Sequence, residues 1–152
     1  MKLAEALILR TDSQKRLEQV KHRLLLNSKF QEGETPSEDP KDLEKELKHL
    51  LKQLKQLIQR VNRTNLLTPF DEQRSLGDAL VERDLIGQER KIYSELLDRA
   101  SVRHDRYSKT EIKFVTSINV KDTQKHVDEL SLKFRLIDTR IQELNWLTDL
   151  VD

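Results

Sequence analysis

Leu43, Leu47, Leu50, Leu54, Leu57 and Val61 follow one another in alternating steps of four and three residues. That spacing is a heptad seam of coiled-coil type, and it sets these side chains on one stripe only if the segment is helical. Leu51 and Ile58 widen the stripe, so the helix has more than one neighbour to meet. Twenty-odd residues at 1.5 Å each make a rod of roughly 35 Å. Its beginning is equally legible: Asp39 before Pro40 is an N-cap followed by proline at the first helical position. Asp42 and Glu44 then sit at the positive end of the helix dipole. A chain organised around such a rod folds by covering it with further helices.

Three more helical segments are readable. The first runs from about Lys2 to Phe30, with Leu3, Leu7, Leu17, Val20 and Leu24 at helical spacing and Arg10, Gln14 and Lys21 close to the same stripe. It ends in "QEGETPSEDP", where Gly33 suits a helix exit and Pro36 and Pro40 stop continuation. After the break "TNLLTPFDEQR", Ser75 with Asp78 has the form of a capping box opening a helix to about Arg103. Gly87 inside it costs about 1 kcal/mol against Ala. Asn119 with Asp122 caps a last helix, whose seam is Val127, Leu130, Phe134, Ile137, Ile141 and Leu144. With 36% charged residues, three Gly and three Pro, the composition is that of long amphipathic helices. We expect a mainly α fold: an elongated antiparallel bundle of about four helices in a single domain spanning residues 1–152.

One stretch departs from this. In "EIKFVTSINV", Ile112, Phe114, Ile118 and Val120 fall on alternate residues with Thr116 in phase, which is a strand pattern. We therefore expect one short β segment, 112–120, between helices three and four. Ordering it costs on the order of 10 kcal/mol, and burying its apolar side chains returns roughly 6–12 kcal/mol. Ladder hydrogen bonds at about 1 kcal/mol each would decide the balance, and they need a partner. The "NLLTPF" linker, the same segment of a second copy, or none at all if 112–120 is an extended connector, remain open. Pairing across a two-fold axis would place Ile112, Phe114 and Ile118 in an oligomer contact.

Chemistry is harder to find. His22, His49, His104 and His126 are far apart, and none shows the i, i+4 spacing of a helical metal pair, so no metal or other cofactor is expected. Glu95 to Asp98, "ELLD", resembles half of a magnesium-binding carboxylate set but lacks its second half, and a surface helix accounts for it. There is no cysteine, hence no disulfide framework or thiolate chemistry. No apolar run reaches the roughly 20 residues of a membrane span, and "MKLAEALILR" has no cleavage site after it, so a cytoplasmic home without membrane contact is expected. Glu32 to Glu46 carries seven acids and two bases, while Leu47 to Arg63 carries five bases and no acid. These adjoining blocks can neutralise each other; with a net charge of +1, nucleic-acid binding is not expected.

The densest polar stretches are "VNRTN", "VERD" and "SVRHDRYSKTE". Asn62, Arg63, Asn65, Arg83, Asp84, Arg103, Arg106 and Glu111 lie in them, at or near helix ends. Asn and Thr are poor helix formers, so their place at the end of the second helix wants a reason. Either these groups form a salt-bridge network at an interface, or they line a pocket in which arginines act as forked donors to a small anion.

Taken in order, "MKLAEALILR", "QKRLEQ", "QEGETPSEDP", "NRTN", "ALVERD", "SVRHDRYSKTEIKF" and "LNWLTDL" resemble the bacterial septicolysin-like family. The likeness runs from Met1 to Leu150. It implies a small helical cytoplasmic protein of bacteria and carries no catalytic residue across. The lytic activity in that family's name finds little support in a chain without an apolar hairpin. Every strong signal here is an interface signal, so the expected role is a self-associating helical scaffold or interaction protein, a dimer or larger. The alternative is a protein, or an undescribed enzyme, that binds a small anion through the Arg/Asn/Asp residues.

Overall fold

A computed structural model describes residues 1–101 and 112–152. It has four helices: α1 (Leu3–Leu26), α2 (Pro40–Leu67), α3 (Leu76–Ala100) and α4 (Val120–Leu147). The protein is mainly α. The described residues gather into two compact units, one of Met1–Gly77 with Gln142–Asp152, the other of Asp78–Ile141.

In the first unit α1 and α2 pack antiparallel, and the α2 seam is what the heptad spacing predicts. Leu43, Leu50, Leu54, Leu57 and Val61 are buried, with Leu47 partly covered. Leu3, Ala4, Ala6 and Val20 of α1 are buried too. Asp39 caps α2 as expected, its Oδ1 accepting from the Lys41 N–H at 2.9 Å. The loop between the helices is held by two residues. Asn27 stops α1 by turning its amide back to the Arg23 carbonyl (2.8 Å) and its oxygen to the Glu38 N–H (3.1 Å). Arg23 then grips the Glu38 carboxylate and reaches Glu46 at 3.6 Å. Gly33 takes a positive φ of 87° in this loop, a conformation costly for other residues.

The end of α2 runs past the expected stop near Arg63 to Leu67. Thr64 explains the extension. It is fully buried; its hydroxyl donates to the Arg60 carbonyl at 2.8 Å and accepts from the Val151 N–H at 3.0 Å. The residues after α4 are thereby pinned to α2, and Arg60 adds bonds to the Val151 carbonyl (2.9 Å) and to Asp152 (3.0 Å). Beyond them, Leu3 N–H donates to Thr148 O and Leu150 N–H to Met1 O, both at 2.9 Å, with Lys2 and Asp149 paired at 2.9 Å.

In the second unit α3 and α4 also run antiparallel. Arg83 of α3 bonds Asp138 of α4 at 2.9 Å, and His126 Nε2 lies 3.3 Å from Glu89 with its ring edge-on to Tyr93. Val127, Leu130, Ile137 and Ile141 form the buried side of α4. Gly87 lies under Phe134, where an added Cβ would come within 3.2 Å of the ring. The glycine that weakens α3 locally is thus the one that lets an aromatic ring approach. Asn119 caps α4, accepting from the Asp122 N–H at 3.1 Å.

The expected β segment 112–120 is absent. Residues 112–116 are irregular, a bend follows, and Val120 already belongs to α4. Alternation signals a strand only when one side of it is buried, and here Ile112, Phe114 and Val115 are 81%, 89% and 84% exposed. Thr116 also bends back, its Oγ1 3.4 Å from the Ile118 N–H, a local bond that competes with strand pairing. The "NLLTPF" linker pairs with its own continuation instead, through an isolated bridge between Pro69 and Ser75. Asp71 and Arg74 close that loop with a 2.8 Å side-chain bond.

Candidate functional site

The sequence-predicted polar residues fall in both units. Asn62 and Arg63 are exposed on the last turns of α2, and Asn65 is partly covered there. Arg83 and Asp84 belong to α3, where Arg83 is engaged by Asp84 (2.9 Å) and Asp138 (2.9 Å). Burial of the Arg83 guanidinium works against its charge, but the bonds to Asp84 and Asp138 outweigh that and raise its pKa further. It is a structural tie between two helices. Arg103, Arg106 and Glu111 lie outside the described residues.

What the structure does assemble is a cleft of about 510 Å³ in the first unit. Leu9, Ser13 and Met1 form one side; Gln53, Gln56, Leu57, Gln59, Arg60 and Arg63 of α2 form the other, with Asp152 at its rim. Gln53, Gln56, Arg60 and Arg63 recur at steps of three and four and so share one side of α2. Arg60 is committed to the 151–152 backbone and side chain. The side chains of Arg63, the three glutamines and Ser13 make no hydrogen bond among the described residues. Such a lining presents donors to a polar ligand and holds no nucleophile–base pair. Of the residues singled out in advance only Arg63 falls in it; the glutamines were missed, because carboxamides on a solvated helix carry no spacing signature.

Three carboxylates in the first unit are held below the ordinary range. Arg23 does this to Glu38 by hydrogen bonding, Lys2 to Asp149 likewise. Arg74 does it to Asp71, aided by the Gln73 N–H. All three are exposed structural pairs, not proton-transfer groups. Glu95 and Asp98 are exposed on α3. Among the described residues no three His, Cys, Asp or Glu side chains gather where they could hold a metal ion.

Two exposed faces complete the inventory. On α3, Val81, Leu85, Ile92 and Leu96 are exposed along a stripe opposite the Gly87 side that meets Phe134. At its end a groove of about 450 Å³ is lined by Leu96, Phe114, Val115 and Ile118. On α2, Lys41, Lys45, Lys48, Lys52, Lys55 and Arg63 are exposed on one side of the helix.

Residues 10–150 match the model of a known family. The chain belongs to the family of unknown function DUF6847. Its fold is similar to that in a crystal structure titled as a functionally unknown conserved protein from Corynebacterium diphtheriae. The two are 40% identical, with a TM-score of 0.94 over 99% of each chain. No curated protein matches. These matches overturn the resemblance to septicolysin-like proteins: the family that covers the quoted segments from Arg10 onward is DUF6847. Each of the pieces behind that resemblance is too short to specify a family by itself. No biochemical role is established for the family or for the similar structure. Among the described residues, no helix is long and apolar enough to cross a membrane.

Proposed function

We propose that the protein is a self-associating helical module whose α3 pairs with α3 of a second copy about a two-fold axis. One observation carries this. The exposed stripe Val81, Leu85, Ile92, Leu96 has steps of four, seven and four residues, which is the same read in either direction. In an antiparallel pair centred between Gln88 and Glu89, Val81 of one copy meets Leu96 of the other and Leu85 meets Ile92. The same operation sets Asp78 opposite Arg99. Identical surfaces facing each other in this way make a closed, isologous contact, packed in the manner of an antiparallel coiled coil.

Magnitudes say how large the contact must be. The four stripe residues are 38–64% exposed, so covering them returns on the order of 1 kcal/mol each, roughly 8 kcal/mol from both copies. Association costs about 4–15 kcal/mol in lost freedom, so the stripe alone is marginal. Ile112 and Phe114 are more exposed still, and Phe114 shares a groove with Leu96, so the apolar surface continues onto them. Including both residues from each copy adds a similar amount, roughly 8 kcal/mol. On this reading Ile112 and Phe114 contribute side-chain contacts without a strand, and Ile118 lines the groove beside them. We place the assembly in the cytoplasm, where a chain without cysteine loses nothing to reducing conditions.

Light scattering coupled to gel filtration tests this at micromolar protein. The wild-type mass should be at least twice 18.0 kDa, and Leu85→Glu combined with Ile92→Glu should return it to one chain with unchanged helical circular dichroism. A wild-type mass of one chain, or an undiminished mass in the double variant, refutes the proposal.

A further inference from the structure

Among the described residues, no ion pair within the chain joins the acidic block 32–46 to the basic block 47–63. Three of the seven acids of 32–46 are engaged elsewhere, Glu38 and Glu46 by Arg23 and Arg16 of α1 and Asp39 by the cap of α2, while Glu44 is exposed near the start of the helix. Of the cations on the exposed side of α2, Lys45 has only a 3.9 Å contact to Asp42. Lys41, Lys48, Lys52, Lys55 and Arg63 have no ion pair among the described residues. No acid lies on α2 between Leu47 and Arg63. The result is a straight row of six uncompensated or barely compensated cations over about 33 Å, at 1.5 Å per residue. Gln56 and Gln59 stand beside the row as neutral donors.

We infer that this face of α2 is a docking surface for the phosphate backbone of a double-stranded nucleic acid. Duplex DNA carries one charge per roughly 1.7 Å of axis, so a 33 Å row lies alongside about one helical turn. Lysine ammonium groups and glutamine amides are backbone contacts, which position a protein without reading sequence. The side chains named carry no aromatic ring, so base stacking, the main grip on single strands, is absent from the face. A membrane surface fits less well, since an interfacial helix needs its apolar side free for lipid, and Leu43, Leu50, Leu54, Leu57 and Val61 are buried in the first unit. The face lies on α2 and is independent of the α3 stripe.

Fluorescence anisotropy with labelled 20-base-pair DNA and RNA duplexes tests it, between 50 and 200 mM NaCl, on the wild-type chain and on Lys48→Gln/Lys52→Gln/Lys55→Gln. The wild type should bind, with log K falling against log salt at a slope of about −4 to −5, from roughly 0.9 per neutralised phosphate. The triple variant should lose at least tenfold in affinity at 50 mM and flatten the slope by about 3 units, with wild-type mass and melting temperature. DNA and RNA binding alike, or either one alone, supports the inference and tells the two sources apart. Absence of binding to both duplexes at 50 mM, or equal binding by the variant, overturns it. So does tighter binding of poly-glutamate or of anionic vesicles than of either duplex, which would assign the row to an acidic protein or a membrane.

Discussion

The α1/α2 unit and the α3/α4 unit use helices of similar length and leave different things undone. In the first, nearly every loop and end is tied by a named polar bond: Asn27 and Arg23 at the interhelical loop, Asp71 with Arg74 after α2, Thr64, Arg60 and Lys2 on residues 147–152. What stays uncommitted is charge, along α2. In the second, Arg83 with Asp138 and His126 with Glu89 bridge the helices. What stays uncommitted there is an apolar stripe along α3 together with the side chains at 112–115, whereas the first unit exposes apolar residues such as Leu25, Leu26, Leu66 and Leu67 at its helix ends. Unpaired lysines in water cost little and attract anions, whereas uncovered leucines and phenylalanines favour any surface that covers them. One unit is thus tied at its ends and charged along one helix, while the other carries an apolar stripe along one helix.

The sharpest way to break the contrast is to damage the first unit in its interior. Leu3 is fully buried, and Leu3→Ala should destabilise the chain by about 2–5 kcal/mol in urea unfolding followed by circular dichroism. A loss under 1 kcal/mol would show that the α1 start is not part of the core. Thr64→Val comes next. It keeps the volume but leaves the Val151 N–H without its acceptor, for an expected loss of about 1–3 kcal/mol, with amide exchange at Val151 accelerated. Unchanged exchange would mean that Thr64 is merely a space filler.

Acid should act on the same unit and by the least. Glu38, Asp71 and Asp149 titrate below their ordinary values when folded, so they favour the native state above the unfolded carboxylate range. That contribution is lost as pH falls through their lowered values. Thermal melting should therefore be flat from pH 7 to 5 and decline below about pH 4, less steeply in Arg74→Gln, where Asp71 has lost its partner. A melting temperature that rises on acidification contradicts the pairing.

How much of this could be read from residues alone follows from the range of each interaction. The α2 cap, its seam, and the Asn119 cap are local patterns, and they stand where the spacing put them. The end of α1 was overshot because Asn27 is held from Glu38, across the loop. The end of α2 was undershot for the same reason at longer reach: the bond that keeps the "NRTN" stretch helical comes from Val151, and no window around Thr64 contains it. Alternating Ile112, Phe114 and Ile118 mimicked a strand because alternation encodes a buried side only if something is there to bury it. As for sites, the basic row was visible as a charge count, but whether it was neutralised depended on Arg16 and Arg23 of another helix. The palindromic stripe on α3 is hard to see in the sequence because Leu76, Leu80 and Leu97 mark out a competing apolar side of the same helix.

The Leu150 N–H donates to Met1 O, so residues 1 and 150, far apart along the chain, are near neighbours in space. A covalent staple between these two positions would close a loop that takes in all four helices. Such a loop restricts the unfolded chain far more than the folded one. Heat resistance could then be raised without adding a single contact to the native state.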